Sequence, residues 1–173
     1  MKKLTFAMLM LCSPFALADI SQLPELAQIK AFQANSPQLV TAGLPSASQF
    51  KQLSDAGVDM VINLMPDSSN TEYQNEAELV NQAGMEYVYI PVDWQNPTQA
   101  DLRAFFQIMD ANSNKDILLH CLANYRASAF AYLYQLHRGQ SPDMAQVMAP
   151  WGDELVQYPQ WQKLIAEYQA AQQ

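Results

Sequence analysis

The sequence contains few positively charged residues and few histidines. Its 173 residues include 9 lysines and arginines against 17 aspartates and glutamates, and only two histidines. Binding to a nucleic-acid backbone requires clustered lysine and arginine, whereas the basic residues here are scattered along the chain. His120 and His137 lie far apart, and neither belongs to a cluster of metal-ligating residues. The composition therefore argues against nucleic acid as a partner, and it predicts no metal site and no cofactor.

The sequence also lacks an extended hydrophobic run at its amino terminus that could anchor it in a membrane. The apolar run Leu4–Leu11 is well short of the roughly 20 residues that span a bilayer. Two lysines precede this run, and the small residues Ala16–Ala18 follow it, which is the pattern of a secretory signal peptide cleaved before Asp19. We therefore predict a signal peptide over residues 1–18, export to the periplasm, and no stable membrane insertion.

Cysteine is nearly absent. Cys12 lies within the predicted signal peptide, so Cys121 would be the only thiol of the exported chain. An intramolecular disulfide is then excluded. A lone cysteine in an oxidising compartment is paired with another molecule, shielded by burial, or retained for its reactivity, and counting alone does not choose among these.

Strand-like and helix-like segments alternate along the remaining chain, with no internal repeat, low-complexity tract or long linker. Such alternation predicts an α/β fold with a mainly parallel central sheet flanked by helices, and ligands bound beyond the carboxyl ends of the strands. Residues 19–173 are predicted to form a single domain, and nothing in the sequence indicates an oligomer. The predicted strands are QLVTAG, VDMVINLM, MEYVYIPV and DILLH. The predicted helices are SQLPELAQIKAFQANS, SASQFKQLSDAG, TEYQNEAELVNQAG, the segment from Thr98 through QADLRAFFQIMD, RASAFAYLYQLHR, SPDMAQVMAP and YPQWQKLIAEYQAAQ.

The segment ILLHCLANYRASAF contains the candidate reactive residues at the carboxyl edge of the predicted sheet. Leu122 to Tyr125 follow the strand DILLH, just where a helix begins. A helix N-terminus offers unpaired N–H groups and the positive end of the helix dipole, which favour an anion and also a cysteine thiolate. Arg126 adds a planar fork of donors suited to phosphate or sulfate. The segment therefore predicts an anion-binding cysteine loop.

The residues HCLANYRAS resemble the His-Cys-x-x-Gly-x-x-Arg-Ser/Thr signature of the protein tyrosine and dual-specificity phosphatases. The segments VINLMPD, AGMEYVYIPVDW and TAGLPSASQFKQLSDAG are similar to further segments of the bacterial phosphatase-like branch of this superfamily. The resemblance covers roughly Leu39 to Arg138. It implies the cysteine-phosphatase fold and hydrolysis of phosphate monoesters, either on small phosphorylated molecules or on phosphoproteins.

Carried over residue by residue, the resemblance assigns roles within the loop. Cys121 would be the nucleophile that forms a phosphocysteine intermediate, and Arg126 would bind the phosphoryl oxygens. Ser128 would hydrogen-bond the thiolate or assist breakdown of the intermediate, and His120 would support the thiolate's surroundings. Asp93 falls where the family keeps the general acid that protonates the leaving oxygen. The phosphate-binding residues would be Leu122, Ala123, Asn124, Tyr125 and Arg126.

The loop departs from the signature by one residue. Four residues separate Cys121 from Arg126 where the family has five, and Asn124 stands in the position of the family glycine. Asparagine is the best substitute there because it tolerates positive φ. The spacing Cys-x4-Arg also occurs in rhodanese-type sulfurtransferases. A sulfurtransferase using the same cysteine, or a non-catalytic binder of phosphate or phosphopeptides, is therefore an alternative.

For several other residues near the loop, the sequence allows two interpretations. Asp93 is either the general acid or a turn aspartate before Pro97, and Asp101 is a fallback acid that looks more like a first-turn helix residue. Trp94 and Tyr125 either form a wall for an aromatic phosphate or pack at the edge of the site.

Overall fold

The computed structural model describes residues 20, 24, 26–69 and 71–172. Within these residues five short strands form one sheet, in the spatial order β1-β2-β5-β3-β4. Strand β1 pairs antiparallel with β2, and the other three pairings are parallel. The predicted α/β fold with a mainly parallel sheet is confirmed. The strands are β1 (Gln33–Ser36), β2 (Leu39–Ala42), β3 (Met60–Asn63), β4 (Glu86–Tyr89) and β5 (Ile117–His120).

Helices flank this sheet. The described α-helices are α1 (Gln49–Asp55), α2 (Glu76–Gln82), α3 (Gln99–Ala111), α4 (Tyr125–His137), α5 (Met144–Val147) and α6 (Pro159–Ala170). Short 3-10 turns cover Leu26–Gln28, Ala149–Trp151 and Glu154–Gln157. No helix of the described residues has the length and apolar character that crossing a membrane requires.

Strands β3 and β5 are buried on both faces, as their unbroken apolar runs predict. Val61 and Leu118 pack in a cluster with residues of α1 and α2, whereas Ile62 and Leu119 pack in a second cluster with residues of α3, α4 and α6. Because successive side chains of a strand point to opposite faces, one run of apolar residues supplies both sides of the core.

The helix predicted over SQLPELAQIKAFQANS is wrong for the residues that the structure describes. Only Leu26–Gln28 form a 3-10 turn, Ala31 has a φ of 48°, and Gln33–Ser36 form β1. Leu26 and Ile29 do pack into the core, as the spacing suggests. A left-handed residue ends a helix, and the antiparallel partner offered by β2 satisfies the backbone beyond it.

Helix boundaries follow the sequence most closely at α3. Thr98 caps this helix, because its hydroxyl accepts from the Asp101 N–H while the Asp101 carboxylate accepts from the Thr98 N–H. Asp101 is therefore a first-turn helix acid. Helix α1 begins only after Ser48, and Ser46 donates its N–H to the Gln49 side chain at 2.8 Å.

The register of the parallel strands aligns their carboxyl ends. Ala42 pairs with His120, Asn63 pairs with His120, and Asn63 pairs with Tyr89. The loops that follow these residues therefore meet at one edge of the sheet, where the sequence places the candidate site. The predicted signal peptide, residues 1–18, lies outside the described residues.

Candidate active site

The loop Cys121–Asn124 joins the central strand β5 to α4. The Cys121 N–H donates to the Ala42 carbonyl at 3.3 Å, and the Leu122 carbonyl accepts from the Leu44 N–H at 3.3 Å. The backbone that follows β2 therefore holds the loop from one side. On the other side the His120 carbonyl, just before the loop, accepts from the Leu64 N–H at 3.0 Å.

Gly43 allows the chain after β2 to approach the loop closely. A Cβ at this position would lie 3.1 Å from the Leu122 carbonyl oxygen and 3.0 Å from Cγ of Lys30. The first of these neighbours is backbone and cannot turn aside as a side chain can. The position of the loop thus depends on the missing side chain at residue 43.

Asn124 makes the turn from the loop into α4. Its φ is 65°, the left-handed region, so the tolerance of asparagine for positive φ is confirmed at this position. The side chain is fully buried, and its amide donates to the Ala31 carbonyl at 2.7 Å and to Thr41 Oγ1 at 3.0 Å. Asparagine therefore adopts the turn and also ties the loop to the segment around β1 and β2.

A cleft of about 280 Å³ lies beside this loop. Cys121 is 1% exposed at the base of the loop, whereas Leu122 is 44% exposed. Helix α4 directs its N-terminus to the same loop, and the first N–H groups of a helix have no partner within it. The structure thus brings the predicted nucleophile and arginine together at a helix N-terminus. The cleft is lined by Trp94, Cys121, Leu122, Ala123, Tyr125 and Arg126.

Arg126 lies against an aromatic ring and not against a carboxylate. Its Cζ is 5.2 Å from the centroid of Trp94, within the range of a cation–π contact. Among the described residues it takes part in no salt bridge, and its buried Nε has no hydrogen-bond partner. A guanidinium held in this way keeps its donors for an oxyanion.

Ser128 lies buried in the first turn of α4. Its hydroxyl donates to the Asn124 carbonyl at 2.7 Å and lies 3.2 Å from the Tyr125 carbonyl. A hydroxyl has one hydrogen, and here that hydrogen is directed at the helix backbone. The contact with the Cys121 thiolate that the resemblance implies would require the hydroxyl to rotate and to donate its hydrogen to the sulfur.

Asp93 lies exposed in the loop between β4 and α3. Its Oδ1 accepts from the Gln95 N–H at 2.9 Å, which is the geometry of a turn aspartate. Asp93 does not line the cleft, but the next residue, Trp94, does. The structure therefore shows the turn role directly and leaves the general-acid role as a prediction.

An aromatic cluster anchors the segment that carries Asp93. The Trp94 carbonyl accepts from the indole N–H of Trp161 at 3.0 Å, and the Trp94 ring stacks on Trp151 with centroids 5.6 Å apart. Trp151 in turn stacks on Tyr125 at 4.8 Å and donates its indole N–H to the Tyr125 carbonyl. Packing at the edge of the site and lining of the cleft are thus both roles of Trp94 and Tyr125.

His120 is paired with a buried acid that the sequence analysis missed. His120 is fully buried, and its Nε2 lies 2.7 Å from Oε1 of Glu76, which is 8% exposed. Oε2 of Glu76 accepts from the Asn63 amide at 3.1 Å. The available signal was spacing: Glu76 stands four residues before the buried Val80, so it occupies the inward face of α2.

Glu76 contributes to the raised pKa values of two tyrosines. Burial, followed by the charge of Glu76, raises the pKa of Tyr87 to about 12. Burial, followed by Glu76, also raises the pKa of Tyr73 far above its usual value. Both phenols therefore stay protonated over the physiological range, and Tyr87 is 3.0 Å from the Asn63 amide.

The comparison with protein families decides the relationship. A family model described as the DSP-PTPase phosphatase of polymorphic toxin systems matches residues 37–133, more than half of the chain. The chain belongs to this phosphatase family. The predicted membership of the protein tyrosine and dual-specificity phosphatase-like superfamily is confirmed, and the match spans the loop with Cys121 and Arg126.

Solved structures of phosphatases share the fold. A crystal structure of a candidate phosphatase (DUF442) from Shewanella putrefaciens CN-32 is 60% identical, covers 85% of this chain and 94% of its own, and superposes with a TM-score of 0.82. P. aeruginosa TpbA in complex with pTyr is 18% identical over 78% of this chain and 82% of its own, with a TM-score of 0.63. At that identity the likeness concerns the fold alone.

Curated relatives match only in part. The beta-lactamase hydrolase-like protein of Agrobacterium fabrum is 36% identical over 105 residues, which are 57% of this chain and 23% of that protein. The protein of the same name from Xylella fastidiosa is 31% identical over 93 residues, 52% of this chain and 21% of its own length. The chain thus spans less than a quarter of the length of these relatives.

Within the phosphatase family framework, the predicted site residues fall into two groups. The cleft is lined by Cys121, Leu122, Ala123, Tyr125 and Arg126. Asn124 and Ser128 are buried behind the loop, His120 faces Glu76, and Asp93 lies in the neighbouring exposed turn. No group of three or more metal-ligating side chains occurs among residues 20, 24, 26–69 and 71–172.

Proposed function

We propose that the protein is a cysteine-dependent phosphatase that hydrolyses phosphate monoesters through a phosphocysteine intermediate on Cys121. The observation that carries the proposal is the cleft where Cys121, Arg126 and the N-terminus of α4 converge. Membership of the phosphatase family supports the same chemistry.

Binding of the phosphoryl group would use Arg126 and the backbone of the loop as donors. Arg126 would pair with two phosphoryl oxygens, and backbone N–H groups from Leu122 to Tyr125 would bind the others at the positive end of α4. The same field would favour the thiolate of Cys121. Trp94 would hold the guanidinium in place through its cation–π contact.

Turnover would proceed in two displacements. The Cys121 sulfur attacks phosphorus while the ester P–O bond breaks, and Asp93 gives its proton to the leaving oxygen. Water then attacks phosphorus, the P–S bond breaks, Asp93 recovers a proton from that water, and orthophosphate leaves the regenerated thiolate. Asp93 would reach the leaving oxygen once its turn contact with the Gln95 N–H is released.

Three variants test this mechanism on p-nitrophenyl phosphate. Cys121→Ser should lower kcat by at least about 1000-fold, because the nucleophile is lost. Arg126→Ala should lower it about 100-fold or more, as loss of an oxyanion donor does. Asp93→Asn should lower kcat about 100-fold on an alkyl phosphate and less on p-nitrophenyl phosphate, whose leaving group needs little protonation.

Arg138→Ala is the matched control for the arginine. Arg138 is an exposed arginine at the opposite end of α4, paired with Asp110, and its removal should leave kcat unchanged. Full activity in Cys121→Ser would refute the cysteine mechanism. Equal losses for Asp93→Asn on both substrates would refute Asp93 as the general acid.

The four-residue spacing between Cys121 and Arg126 favours one second candidate, a sulfurtransferase. In that reaction the Cys121 sulfur takes the outer sulfur of thiosulfate, sulfite leaves, and cyanide then removes the sulfur as thiocyanate. A Cys121 mass increase of one sulfur atom, with thiocyanate release and no phosphate release, would select this candidate. Binding of phosphate without either turnover would select the binding module.

The substrate and the location complete the proposal. Trp94 and Tyr125 line the cleft and would favour an aryl phosphate, either a small molecule or a phosphotyrosine of a protein; TpbA, with the same fold, is known in complex with pTyr. Residues 1–18 would direct the chain to the periplasm. Cell fractionation of the full chain and of a variant lacking residues 1–18 tests this: retention of both in the cytoplasm would contradict export.

A further inference from the structure

Glu76 is a buried acid that reaches the candidate site through a single residue. It lines a cavity of about 370 Å³ together with Asn63, Tyr73 and Tyr87, and that cavity shares no lining residue with the cleft of Cys121. His120, which contacts Glu76, immediately precedes Cys121 in the chain. This contact therefore connects Glu76 to the chain next to the thiol.

The contacts around Glu76 fix its orientation. One carboxylate oxygen lies 2.7 Å from His120 Nε2, and the other accepts from the Asn63 amide at 3.1 Å. The Asn63 side chain is itself held, because its oxygen accepts from the Met65 N–H at 2.7 Å and its amide lies 3.0 Å from the Tyr87 hydroxyl. Both oxygens of a nearly inaccessible carboxylate are thus satisfied, as a buried charge requires.

This geometry determines the tautomer of His120. An ionised carboxylate is an acceptor only, so Nε2 of His120 must carry the hydrogen. The second ring nitrogen, Nδ1, is buried and has no hydrogen-bond partner among the described residues. The hydrogen bond to Glu76 thus fixes the ring of the residue that precedes Cys121.

We propose that Glu76 is a positioning residue for the Cys121 chemistry: it fixes the ring of His120 in the Nε2–H form, and through His120 it keeps Cys121 reactive as a nucleophile. The proposal rests on the proposed function of Cys121 as a nucleophile. It adds a residue on α2 that touches neither substrate nor thiol.

The charged groups around this chain of contacts are few and have separable effects. Arg126 faces Cys121 from α4, while Glu76 faces His120 from α2. Tyr73 and Tyr87 face Glu76 from the preceding loop and from β4, and their raised pKa values keep them neutral below about pH 10. Glu72 adds a negative charge near Tyr73. A change in pH response between pH 5 and 9 would therefore not come from these phenols.

The test replaces the charge and keeps the shape. Glu76→Gln in the full chain should lower the rate of Cys121 alkylation by iodoacetamide at neutral pH about tenfold, because a misplaced group next to a reacting atom costs this much or more and the variant no longer fixes the ring of His120. Labelling is followed on the Cys121 peptide by mass spectrometry, since Cys12 is also present in the full chain. On p-nitrophenyl phosphate, kcat should fall about tenfold with KM little changed, because the phosphate-binding groups are untouched.

Glu78→Gln is the matched control. Glu78 is exposed on the same helix, two residues further along, and this variant should match the native protein in alkylation and in kcat. In a His120→Asn background, Glu76→Gln should have no further effect, because the contact between Glu76 and the imidazole of His120 is already absent. A native alkylation profile in Glu76→Gln, or an additive effect in the double variant, would overturn the proposal.

Two readouts separate this proposal from others. The alkylation profile needs no turnover, so it tests Glu76 even if phosphatase activity is absent and the proposed function fails. If Glu76→Gln does not fold, the ¹⁵N spectrum of His120 in the native protein decides. A hydrogen on Nε2 supports the proposal, and a hydrogen on Nδ1 alone overturns it.

Discussion

At position 124 an asparagine does two things that no other residue type combines as well. It adopts a φ of 65°, and its buried amide bonds the Ala31 carbonyl and the Thr41 hydroxyl. Glycine, the residue of the phosphatase signature, would adopt the turn but leave both acceptors without this donor. The amide of Asn124 therefore holds the shortened loop through two hydrogen bonds that a glycine cannot make.

Substitutions at Asn124 should separate these contributions. Asn124→Gly should destabilise the protein by about 1–3 kcal/mol through loss of the two hydrogen bonds that the buried amide donates. Asn124→Ala should cost a further ~1 kcal/mol because a Cβ is disfavoured in the left-handed region. Urea unfolding measures both free energies, and Asn114→Ala, an exposed asparagine, should change stability by less than about 0.5 kcal/mol. An alanine variant as stable as the glycine variant would contradict the backbone argument.

At the scale of elements, α6 and α3 position the turn that carries Asp93. The indole N–H of Trp161 on α6 holds the Trp94 carbonyl, and α3 begins at Thr98 immediately after the turn. These two contacts hold both ends of the short turn, so they fix the positions of Trp94 and of the candidate acid Asp93 after β4. Cys121 follows the carboxyl end of β5, which β3 separates from β4 in the sheet.

The cap of α3 should matter for stability. Thr98→Ala removes the acceptor for the Asp101 N–H and should cost ~1 kcal/mol of unfolding free energy. Thr98→Ser keeps the hydroxyl and should retain most of the stability. Thermal or urea unfolding of the two variants provides the comparison. If the alanine and serine variants lose the same amount, the loss comes from the threonine methyl and not from the cap.

At the scale of the whole molecule, one carboxylate joins helices that are distant in the chain. Asp110 on α3 accepts from Tyr134 and lies 3.1 Å from Arg138 and 3.3 Å from His137, all at the end of α4. Partial burial opposes ionisation of Asp110, but the hydrogen bonds from these three groups outweigh it and lower the pKa of the carboxyl. The packing of α3 against α4 is thus linked to pH.

The sign of this linkage follows from the lowered pKa. An unfolded aspartate has a pKa of about 3.9, so the stabilisation from Asp110 is fully present above that pH and is lost as pH falls through the lower folded value. Asp110→Asn should therefore be less stable than the native protein at pH 7, and the difference should shrink below about pH 4. Urea unfolding at several pH values tests this, with the exposed Asp153→Asn as control. A difference that stays constant down to pH 2 would contradict the linkage.

The features that could be predicted from sequence are those with a local signal. The capping pair of Thr98 and Asp101 and the proximity of Cys121 and Arg126 each depend on residues that lie close together in the chain. The burial of strands β3 and β5 follows from their apolar composition. The helix predicted at the amino-terminal end was wrong because residues 33–36 find their partner in β2. Glu76 was missed because its partner His120 is 44 residues away.

The sequence by itself determined the order of strands and helices from β2 to α4, the family and the position of the cysteine loop, because apolar periodicity and the spacing of a short motif are local properties of the chain. Only the tertiary structure decided which side chains meet at the loop. It placed Glu76 behind His120, turned the Asp93 carboxylate toward its own loop, and set Trp94 against Arg126. These contacts join residues far apart in the chain, and their geometry follows from the crossover of parallel strands and the packing of α2, α4 and α6 around them.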